Sequence, residues 1–224
     1  MLNIWKIELL IFLAVSSTVK ICLLGYSGHG IVVAEALRLL GYSDLYYADR
    51  NEMTNNPYQL EYAGLESDQE FPWQEFDVFT LGVGDNRLRK KMAARVKDQG
   101  KSLLTVKHPN ASISMQAKIG EGAFIARNTS INPLAIIGEG VIINTAAVIE
   151  HECMVGDYAH IAPAATLAGN VTVQPGAFVG ANAVVKQGVT IGTEAVVGSG
   201  SVVLKNVANY STVVGVPAKT IQYE

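Results

Sequence analysis

A repeat of six residues runs without interruption from position 113 to position 208 and limits the possible folds more than any other feature. Each hexad opens on an aliphatic residue, as at Ile113, Ile143 and Val203, and carries a small or β-branched residue four places later. A period of six suits short strands joined by sharp turns, since it matches neither a helix nor a two-faced strand. Three strands close one triangular coil, so the repeat predicts a left-handed parallel β-helix with the aliphatic residues inside.

The residues before the repeat alternate between strands and helices. Apolar strands are predicted at 20–24, 45–48, 76–81 and 103–106, and amphipathic helices follow the first and the third. This alternation predicts a small Rossmann-like parallel sheet with helices on its faces, so the fold class is α/β followed by all-β. We divide the chain into an N-terminal extension (1–18), a Rossmann-like domain (19–108), a β-helix domain (109–208) and a C-terminal tail (209–224).

A glycine-rich turn, residues 25–30, joins the first strand to the first helix. Its glycines free the backbone to approach a ligand, and the following helix presents N–H groups to a phosphate. The order G-x-x-G-x-G differs from the dinucleotide fingerprint, so NAD binding is not supported. A phosphate site and a tight turn that only packs the helix on the sheet both stay open. His29 either bonds a ligand or caps the helix, and Asp49 either meets a ribose or base or begins a loop.

Composition narrows the class of protein. With 49% hydrophobic residues and a mean hydropathy of +0.24, the chain can bury a sizeable core and is not disordered. A net charge of −3 gives no basic field for a nucleic-acid backbone, which makes nucleic acid an unexpected partner. Cys22 and Cys153 lie far apart in the sequence, at positions where small hydrophobic residues are expected. No disulfide is therefore expected, and this is compatible with a location in the reducing cytoplasm.

The first eighteen residues contain a short apolar run, 9–15, that resembles a signal peptide weakly. The run is too short to span a membrane. A helix packed on the domain, a misassigned start codon and a contact with a membrane surface are the alternatives. We expect no transmembrane segment.

Charged residues are rare in the hexad block, ten of 96, yet Glu150, His151 and Glu152 stand together, with His160 nine residues later. A histidine accepts protons near neutral pH, and a neighbouring carboxylate orients it, so this cluster predicts a general base rather than a solvated turn. Gly169 follows His151 by one coil of eighteen residues. Its bare N–H is positioned to hold an oxyanion, although the glycine could instead only relieve crowding.

A metal site is not expected. Of the four histidines in the chain, only two lie in the repeat, so a three-histidine zinc site within one subunit is not available. A metal shared between subunits is the remaining alternative.

Three segments carry a resemblance to a known family: the glycine turn at 25–30, Ile149-Glu150-His151-Glu152-Cys153, and Gly215-Val216-Pro217-Ala218-Lys219. Hexapeptide prisms are typical of acyl-CoA-dependent transferases. The three segments together resemble the bacterial nucleotide-sugar acetyltransferases, especially the N-acetyltransferase of UDP-bacillosamine synthesis, with sialic acid O-acetyltransferases as relatives. The resemblance covers roughly residues 19–221.

The resemblance implies a homotrimer in which the N-terminal domain holds a nucleotide sugar and acetyl-CoA lies between neighbouring prisms. His151 matches the general base, Glu152 its carboxylate, and Gly169 the glycine whose amide faces the thioester oxygen. The residues matched to the coenzyme are His160, Gly169, Gly215, Pro217 and Lys219. Those matched to the nucleotide sugar are Ser27, Gly28, His29, Asp49, Gly84 and Asn144.

The implied reaction is direct acetyl transfer from acetyl-CoA to the C4 amine of a UDP-4-amino-4,6-dideoxy-N-acetyl-hexosamine, in a cytoplasmic sugar-nucleotide pathway. O-acetylation of a sialic acid or a related sugar, and N-acetylation of another nucleotide-linked amino sugar, are the alternatives within the class. From other classes come a non-catalytic trimeric nucleotide-sugar scaffold and a γ-class carbonic anhydrase, which the histidine count opposes. The sequence does not identify the sugar's stereochemistry or its nucleotide base.

Overall fold

The computed structural model describes residues 19–221, which form a small parallel sheet with two helices followed by a left-handed parallel β-helix. The predicted extension, 1–18, and the last three residues of the predicted tail lie outside the described residues. Within the described range, no helix is both long and apolar enough to cross a membrane.

Four parallel strands form the N-terminal sheet in the order β3-β2-β1-β4. The strands are β1 (Ile21–Leu24), β2 (Leu45–Ala48), β3 (Glu61–Tyr62) and β4 (Val78–Leu81), and the helices are α1 (Gly28–Leu39) and α2 (Asn86–Asp98). All four residues of β1 are buried, as expected for a central strand covered by helices on both faces. The predicted Rossmann-like arrangement is therefore confirmed.

Two details of this sheet differ from the sequence-based prediction. The apolar run predicted as one strand over 103–106 is divided, since Leu103 forms a single bridge to Phe79 while Val106 pairs with Phe124 in the β-helix. An apolar run does not reveal which of two open edges it will join. Strand β3 was not predicted because its two residues, Glu61 and Tyr62, are exposed and follow no apolar pattern.

The β-helix is built from strands of two residues, each ending on the opening residue of a hexad. The first face contains β5 (Val106–Lys107), β8 (Phe124–Ile125), β11 (Ile142–Ile143), β14 (His160–Ile161), β17 (Phe178–Val179), β20 (Val196–Val197), β22 (Thr212–Val214) and the antiparallel β23 (Lys219–Ile221). The second contains β6 (Ser112–Ile113), β9 (Ser130–Ile131), β12 (Val148–Ile149), β15 (Thr166–Leu167), β18 (Val184–Val185) and β21 (Val202–Val203). The third contains β7 (Lys118–Ile119), β10 (Ile136–Ile137), β13 (Met154–Val155), β16 (Thr172–Val173) and β19 (Thr190–Ile191).

The predicted register of eighteen residues is confirmed along the coils. Ile143 pairs with Ile161, and Ile149 with Leu167. Inward aliphatic residues and the small corner residues are buried through the central coils, as at Ile149 and Cys153. From Ile119 to Val197, the third residue after each inward residue adopts a left-handed conformation, with φ of 61° at Glu152, and this allows the sharp turn between faces.

The last hexad departs from the prediction. Val207 bridges to Ile191 and Thr212 pairs with Val196, so both separations are 16 residues (207 − 191 and 212 − 196) rather than 18. Val207, which was predicted to lie at a corner, therefore pairs with the inward-facing Ile191. The final coil is two residues shorter than the regular coil of 18. The hairpin of β22 and β23 then closes this end.

The N-terminal domain covers the first face of the β-helix. Phe124 and Ile142 point outward from that face, yet they are 3% and 1% exposed because they pack in one core with Val33 and Leu37 of α1. Covering this face brings the carboxyl ends of the sheet strands next to the β-helix.

Candidate active site

A cavity of about 540 Å³, here called the sheet-edge cavity, lies at the carboxyl ends of β1, β2 and β4. Five of the residues matched to a nucleotide sugar line it: Ser27, Gly28, His29, Asp49 and Gly84. Open parallel sheets bind their ligands at this edge because strand ends and helix N-termini converge there. Three cationic residues, Arg50, Lys91 and Arg95, also line the cavity. The setting suits a ligand that carries phosphate groups.

The glycines of the turn have different surroundings, and those at positions 25 and 30 serve the packing of the helix on the sheet. Gly25 has a left-handed φ of 89°, and a Cβ on Gly30 would lie 2.2 Å from the Gly25 carbonyl oxygen. These two glycines therefore allow the helix to pack tightly against the strand. Gly28, in contrast, has no atom within 4 Å of its Cβ position and faces the cavity.

Asp49 holds the turn in place. Its carboxylate accepts hydrogen bonds from the backbone N–H groups of Tyr26, at 2.9 Å, and Arg50, at 2.7 Å. His29 does not cap the helix, because Ser27 occupies the N-cap position. The His29 ring packs edge-on against Phe124 of the β-helix, with ring centroids 5.2 Å apart.

His29 and His160 meet where the sheet domain contacts the first face. Their ring centroids are 6.4 Å apart, and the His160 ring also packs against Phe178 at 5.1 Å. His160 Nε2 lies 3.1 Å from Asn144 Nδ2. Burial lowers the pKa of His160 to about 3 and that of His29 to about 4, and the Arg89 charge acts in the same direction. Both rings are therefore neutral at physiological pH.

Burial of the two neutral histidines makes stability depend on pH. Their pKa falls from the ordinary 6.5 to about 3 and about 4 on folding. The unfolded chain therefore binds more protons than the folded chain. The contribution of the two histidines to the free energy of unfolding is fully present above pH 6.5 and is lost as the pH falls. Between pH 6 and 5 each histidine should remove roughly 1 kcal/mol per pH unit from the free energy of unfolding. Urea denaturation should show this slope, and His160→Asn should reduce it by roughly 1 kcal/mol per pH unit; an equal slope in the variant would contradict the assignment.

His151 lies at the corner between the second and third faces. Its Nδ1 is 3.0 Å from Glu152 Oε2, and both side chains are about half exposed. In a neutral ring held this way, Nδ1–H donates to the carboxylate and Nε2 keeps a free lone pair. The left-handed conformation of Glu152 belongs to the regular corner turn, so the fold itself places the carboxylate beside the imidazole.

Gly169 occupies the same corner position on the next coil, as the register predicts. A Cβ on Gly169 would lie 2.5 Å from His151 Cε1 and 2.6 Å from Nε2, so the imidazole covers this glycine. Among the hydrogen bonds of residues 19–221, none uses the Gly169 N–H. A base with a free lone pair and an unpaired amide donor therefore lie side by side, which suits a reaction that removes a proton and forms an oxyanion.

Alanine at position 169 should displace the His151 ring without unfolding the chain. The new methyl group would occupy the space of the His151 ring, which is exposed and can swing away. Since a displacement of about 1 Å can cost 10²-fold in rate, we expect Gly169→Ala to lower by about that factor the kcat of a reaction in which His151 is the base. Steady-state kinetics would measure it. Gln187→Ala, at the same corner position one coil further, is the matched control; normal turnover by a folded Gly169→Ala protein would refute the prediction.

The structure does not bring all the predicted residues together within one chain. His151, Glu152 and Gly169 form the corner cluster, whereas His160 lies on the first face, with Asn144 at the corner between the first and second faces. Residues matched to the far end of the coenzyme lie at the closing hairpin: Gly215, Pro217 and the exposed Lys219.

Arg89 is a central residue that sequence reasoning missed. It is 1% exposed, and its guanidinium donates to the carbonyl oxygens of Gly140, at 2.7 Å, Gly84, at 2.9 Å, and Tyr158, at 2.8 Å. A further bond runs to Asn86 Oδ1. Arg89 therefore ties α2 and the loop before it to two corners of the β-helix. The available signal was its place on the buried face of α2, three and seven residues before Met92 and Val96.

A second cavity, of about 690 Å³, lies between α2 and the corners that join the third and first faces. It shares Gly84 with the sheet-edge cavity and includes Phe178, which touches His160. Within residues 19–221, no three His, Cys, Asp or Glu side chains are grouped so as to hold a metal ion.

Two family models match the chain: "PglD N-terminal domain" over residues 20–96 and "Bacterial transferase hexapeptide (six repeats)" over residues 170–205. The acetyltransferase domain of PglB from Neisseria gonorrhoeae FA1090 is 30% identical, with a TM-score of 0.84, covering 90% of this chain and 99% of that chain. PerB from Caulobacter crescentus, in complex with CoA and GDP-perosamine, is 34% identical, with a TM-score of 0.83 and coverage of 92% and 99%.

A third similar structure is WeeI from Acinetobacter baumannii AYE, at 27% identity and a TM-score of 0.80, with 91% of this chain and all of that chain covered. A further structure of the PglB domain holds acetyl coenzyme A. The similarity in each case extends over both the parallel sheet and the β-helix.

Proposed function

Since the chain belongs to the hexapeptide-repeat acetyltransferases of nucleotide-linked amino sugars, which use acetyl-CoA, we propose that it acetylates the C4 amine of a UDP-4-amino-4,6-dideoxy sugar. The observation that carries this proposal is the corner cluster, in which the His151 ring covers Gly169 and bonds Glu152. Family membership favours an enzyme over a non-catalytic scaffold.

The chemistry is a direct transfer. The amine nitrogen attacks the thioester carbonyl carbon as His151 Nε2 removes a proton from that nitrogen. Gly169 N–H donates to the oxyanion that forms, and Glu152 stabilises the charged imidazole through Nδ1–H. When the tetrahedral intermediate collapses, the carbon–sulfur bond breaks and coenzyme A leaves as the thiolate, which takes up the proton that His151 removed from the amine. The products are the acetamido sugar and free coenzyme A.

Cys153 is not used in this mechanism. Its side chain is fully buried, its thiol donates to the Ala168 carbonyl oxygen, and burial raises the thiol pKa. A thiol in that state is a poor nucleophile, so no acyl-enzyme is formed.

The sheet-edge cavity receives the nucleotide sugar, with its diphosphate at Ser27 and Gly28 and its sugar toward His29 and His160. The cavity and the His151 corner belong to different sides of one prism, so we propose that His151 of one protomer serves the sugar held by its neighbour. We propose a homotrimer with three such sites, as the family resemblance implies. Acetyl-CoA lies in the groove between prisms, with His160 near its reactive end and Lys219 positioned to pair with a phosphate.

Acetyl-CoA consumption with defined acceptors tests the proposal. We expect turnover with a UDP-linked 4-amino-4,6-dideoxy sugar and none with a free sialic acid. Turnover with the sialic acid alone would replace N-acetylation by O-acetylation. A protein that binds the nucleotide sugar and never releases coenzyme A would contradict the proposal altogether.

A GDP-linked amino sugar is the second candidate, because the 34% identical PerB is in complex with GDP-perosamine. The same assay with GDP-perosamine separates the two, since the acceptor with the higher kcat/KM is the preferred one. We place the reaction in a cytoplasmic sugar-nucleotide pathway, with which the two free, buried thiols of Cys22 and Cys153 are compatible.

A further inference from the structure

A buried arginine without a charged hydrogen-bond partner lies between the two cavities. Arg89 is 1% exposed, and burial lowers its pKa only to about 10, so the guanidinium keeps its charge at neutral pH. Among the ion pairs of residues 19–221, none includes Arg89. Its three nitrogens donate to neutral oxygens, which belong to the side chain of Asn86 and the carbonyls of Val83, Gly84, Gly140, Tyr158 and Ala159. Carbonyl groups satisfy the donors of a buried cation but do not neutralise it.

The ionisable groups around the guanidinium leave most of its charge uncompensated. Asp85, before α2, attracts it but is exposed to solvent and caps the helix. On the β-helix, burial raises the pKa of the Tyr158 phenol, which therefore stays uncharged at neutral pH. The nearby corner carboxylates have other partners, since Glu139 pairs with Lys97 at 2.5 Å and Asp157 accepts the Glu139 N–H at 2.9 Å. A positive field therefore remains in the space beside the guanidinium.

This field reaches the place where His29 and His160 meet. Arg89 donates to the carbonyl oxygen of Ala159, the residue before His160, and to that of Gly84, whose Cβ position is 3.9 Å from His29 Cβ. Burial and then the Arg89 charge lower the pKa of both histidines. Both rings are therefore neutral and supply no counter-charge.

The proposed transfer requires an acceptor amine that does not carry an extra proton. An amine attacks through its lone pair, and an ammonium ion has none. Aliphatic amines are largely protonated in water at pH 6.5, as the pKa of about 7.7–8.0 of an α-amino group illustrates. His151 removes one proton, the one that the nitrogen loses as the new bond forms. Another feature of the site must therefore favour the free amine when the sugar binds.

A positive charge close to an amine disfavours the ammonium form by repulsion of like charges. We propose that Arg89, without touching the reacting atoms, selects the protonation state of the acceptor, so that the nucleotide sugar binds as the free amine and its extra proton passes to solvent. In the proposed trimer, Glu152 lies on the Nδ1 side of the His151 ring, away from the Nε2 that meets the amine. This inference rests on the proposed function, because it places the sugar amine beside His29 and His160.

Proton release on binding tests the proposal. Isothermal titration calorimetry in two buffers of different ionisation enthalpy counts the protons released per bound ligand. The ligands are the UDP- or GDP-linked amino sugar that the turnover assay selects and its acetamido product, which has no basic amine. The difference between the two cancels protons released by other groups. All proteins carry His151→Asn, so that the proton passes to the buffer and not to the base. At pH 6.5 we expect the amino sugar to release about one proton more than the product.

Arg89→Gln and Arg89→Lys separate the charge from the hydrogen bonds. Both variants keep a donor at the end of the side chain and lose part of the bonds to the carbonyl oxygens, but only lysine keeps the charge. The difference in proton release should fall to less than about half in Arg89→Gln and stay close to the Arg89 value in Arg89→Lys. Arg87→Met, which removes an exposed charge from the same helix, should leave the difference unchanged.

The pH dependence of kcat, measured with His151 intact, gives a second readout, since it reports groups in the enzyme–substrate complex. Removing the Arg89 charge raises the pKa of the bound ammonium group, so less free amine is present at low pH. The acidic limb of the kcat profile should therefore move to higher pH by about one unit in Arg89→Gln and by much less in Arg89→Lys. A purely structural role would lower kcat without moving this limb.

The outcomes separate the two levels of inference. Equal proton release from the two ligands with Arg89 present overturns the role of Arg89, and so do equal losses in the Gln and Lys variants or an unchanged value in folded Arg89→Gln. Each of these results leaves the acetyltransferase proposal intact. If neither the UDP-linked nor the GDP-linked amino sugar binds or is acetylated, both proposals fall.

Discussion

Replacing His151 by alanine lowers kcat for acetyl transfer by about 10²-fold or more, because the amine then loses the base that removes its proton. The side chain is half exposed and supports no core packing, so the variant should fold normally. Release of coenzyme A, followed with a thiol reagent under saturating acetyl-CoA, measures the effect. His151→Asn keeps a polar side chain of similar reach and should be impaired to a similar degree, since an amide is not a base.

The matched control is Cys153→Ala, two residues along the same corner. It removes a buried thiol that takes no part in the proposed transfer, so turnover should stay close to that of the wild type. Complete loss of turnover in folded Cys153→Ala, or nearly full activity in His151→Ala, would require a different mechanism.

Replacing Arg89 by methionine should give the largest loss of stability. Methionine fills part of the space but donates nothing, so the carbonyl oxygens of Gly140, Gly84 and Tyr158 are left buried without a donor. We expect the free energy of unfolding to fall by roughly 3–5 kcal/mol. For a chain of this size the melting temperature should fall by about 10 °C. Differential scanning calorimetry and urea denaturation would measure both quantities.

Arg87→Met is the control, two residues away on α2. Arg87 also forms an ion pair, with Glu194 at 2.6 Å, but it is exposed, and such pairs contribute little. A second readout isolates the charge of Arg89, which helps to lower the pKa of His160. In Arg89→Met the His160 pKa, followed by NMR, should rise. An unchanged free energy of unfolding in Arg89→Met would show that the contact between the two domains does not depend on the guanidinium.

The β-helix was predictable because its constraint is repeated in every coil. Each hexad opens on a residue that must face the interior, and sixteen in succession leave no freedom in the register. Neighbours across coils, such as His151 and Gly169, then follow by counting. The prediction failed only at Val207, where the coil shortens to 16 residues and the hexad pattern no longer describes the chain.

The parallel sheet was predictable where a strand is apolar, as at β1, and not where it is exposed, as at β3. The run at 103–106 shows a second limit of prediction from sequence. Its residues are apolar enough to pair either with the parallel sheet or with the β-helix. Val106 pairs with Phe124 because the first coil offers an open edge nearby, a fact of tertiary arrangement that local composition does not carry.

Arg89 was missed for a physical reason. A charged residue on an amphipathic helix or in a loop is ordinarily solvated, and only packing between distant segments makes it a buried group. Arg89 meets carbonyls that follow it by 51 and 69 residues. Spacing along the chain gives no indication of such contacts.

The amino-acid sequence by itself determined the coil, its period and the stacking of an imidazole on a glycine, because these depend on a local pattern repeated at a constant interval. The tertiary structure alone decided where the sheet domain sits on the prism, which charges it buries, and that no residue of the His151 corner lines the cavity. Those features arise because the sheet domain packs on the first face of the β-helix. Whether these two surfaces fit each other depends on their shapes in the folded protein, which a local sequence pattern does not contain.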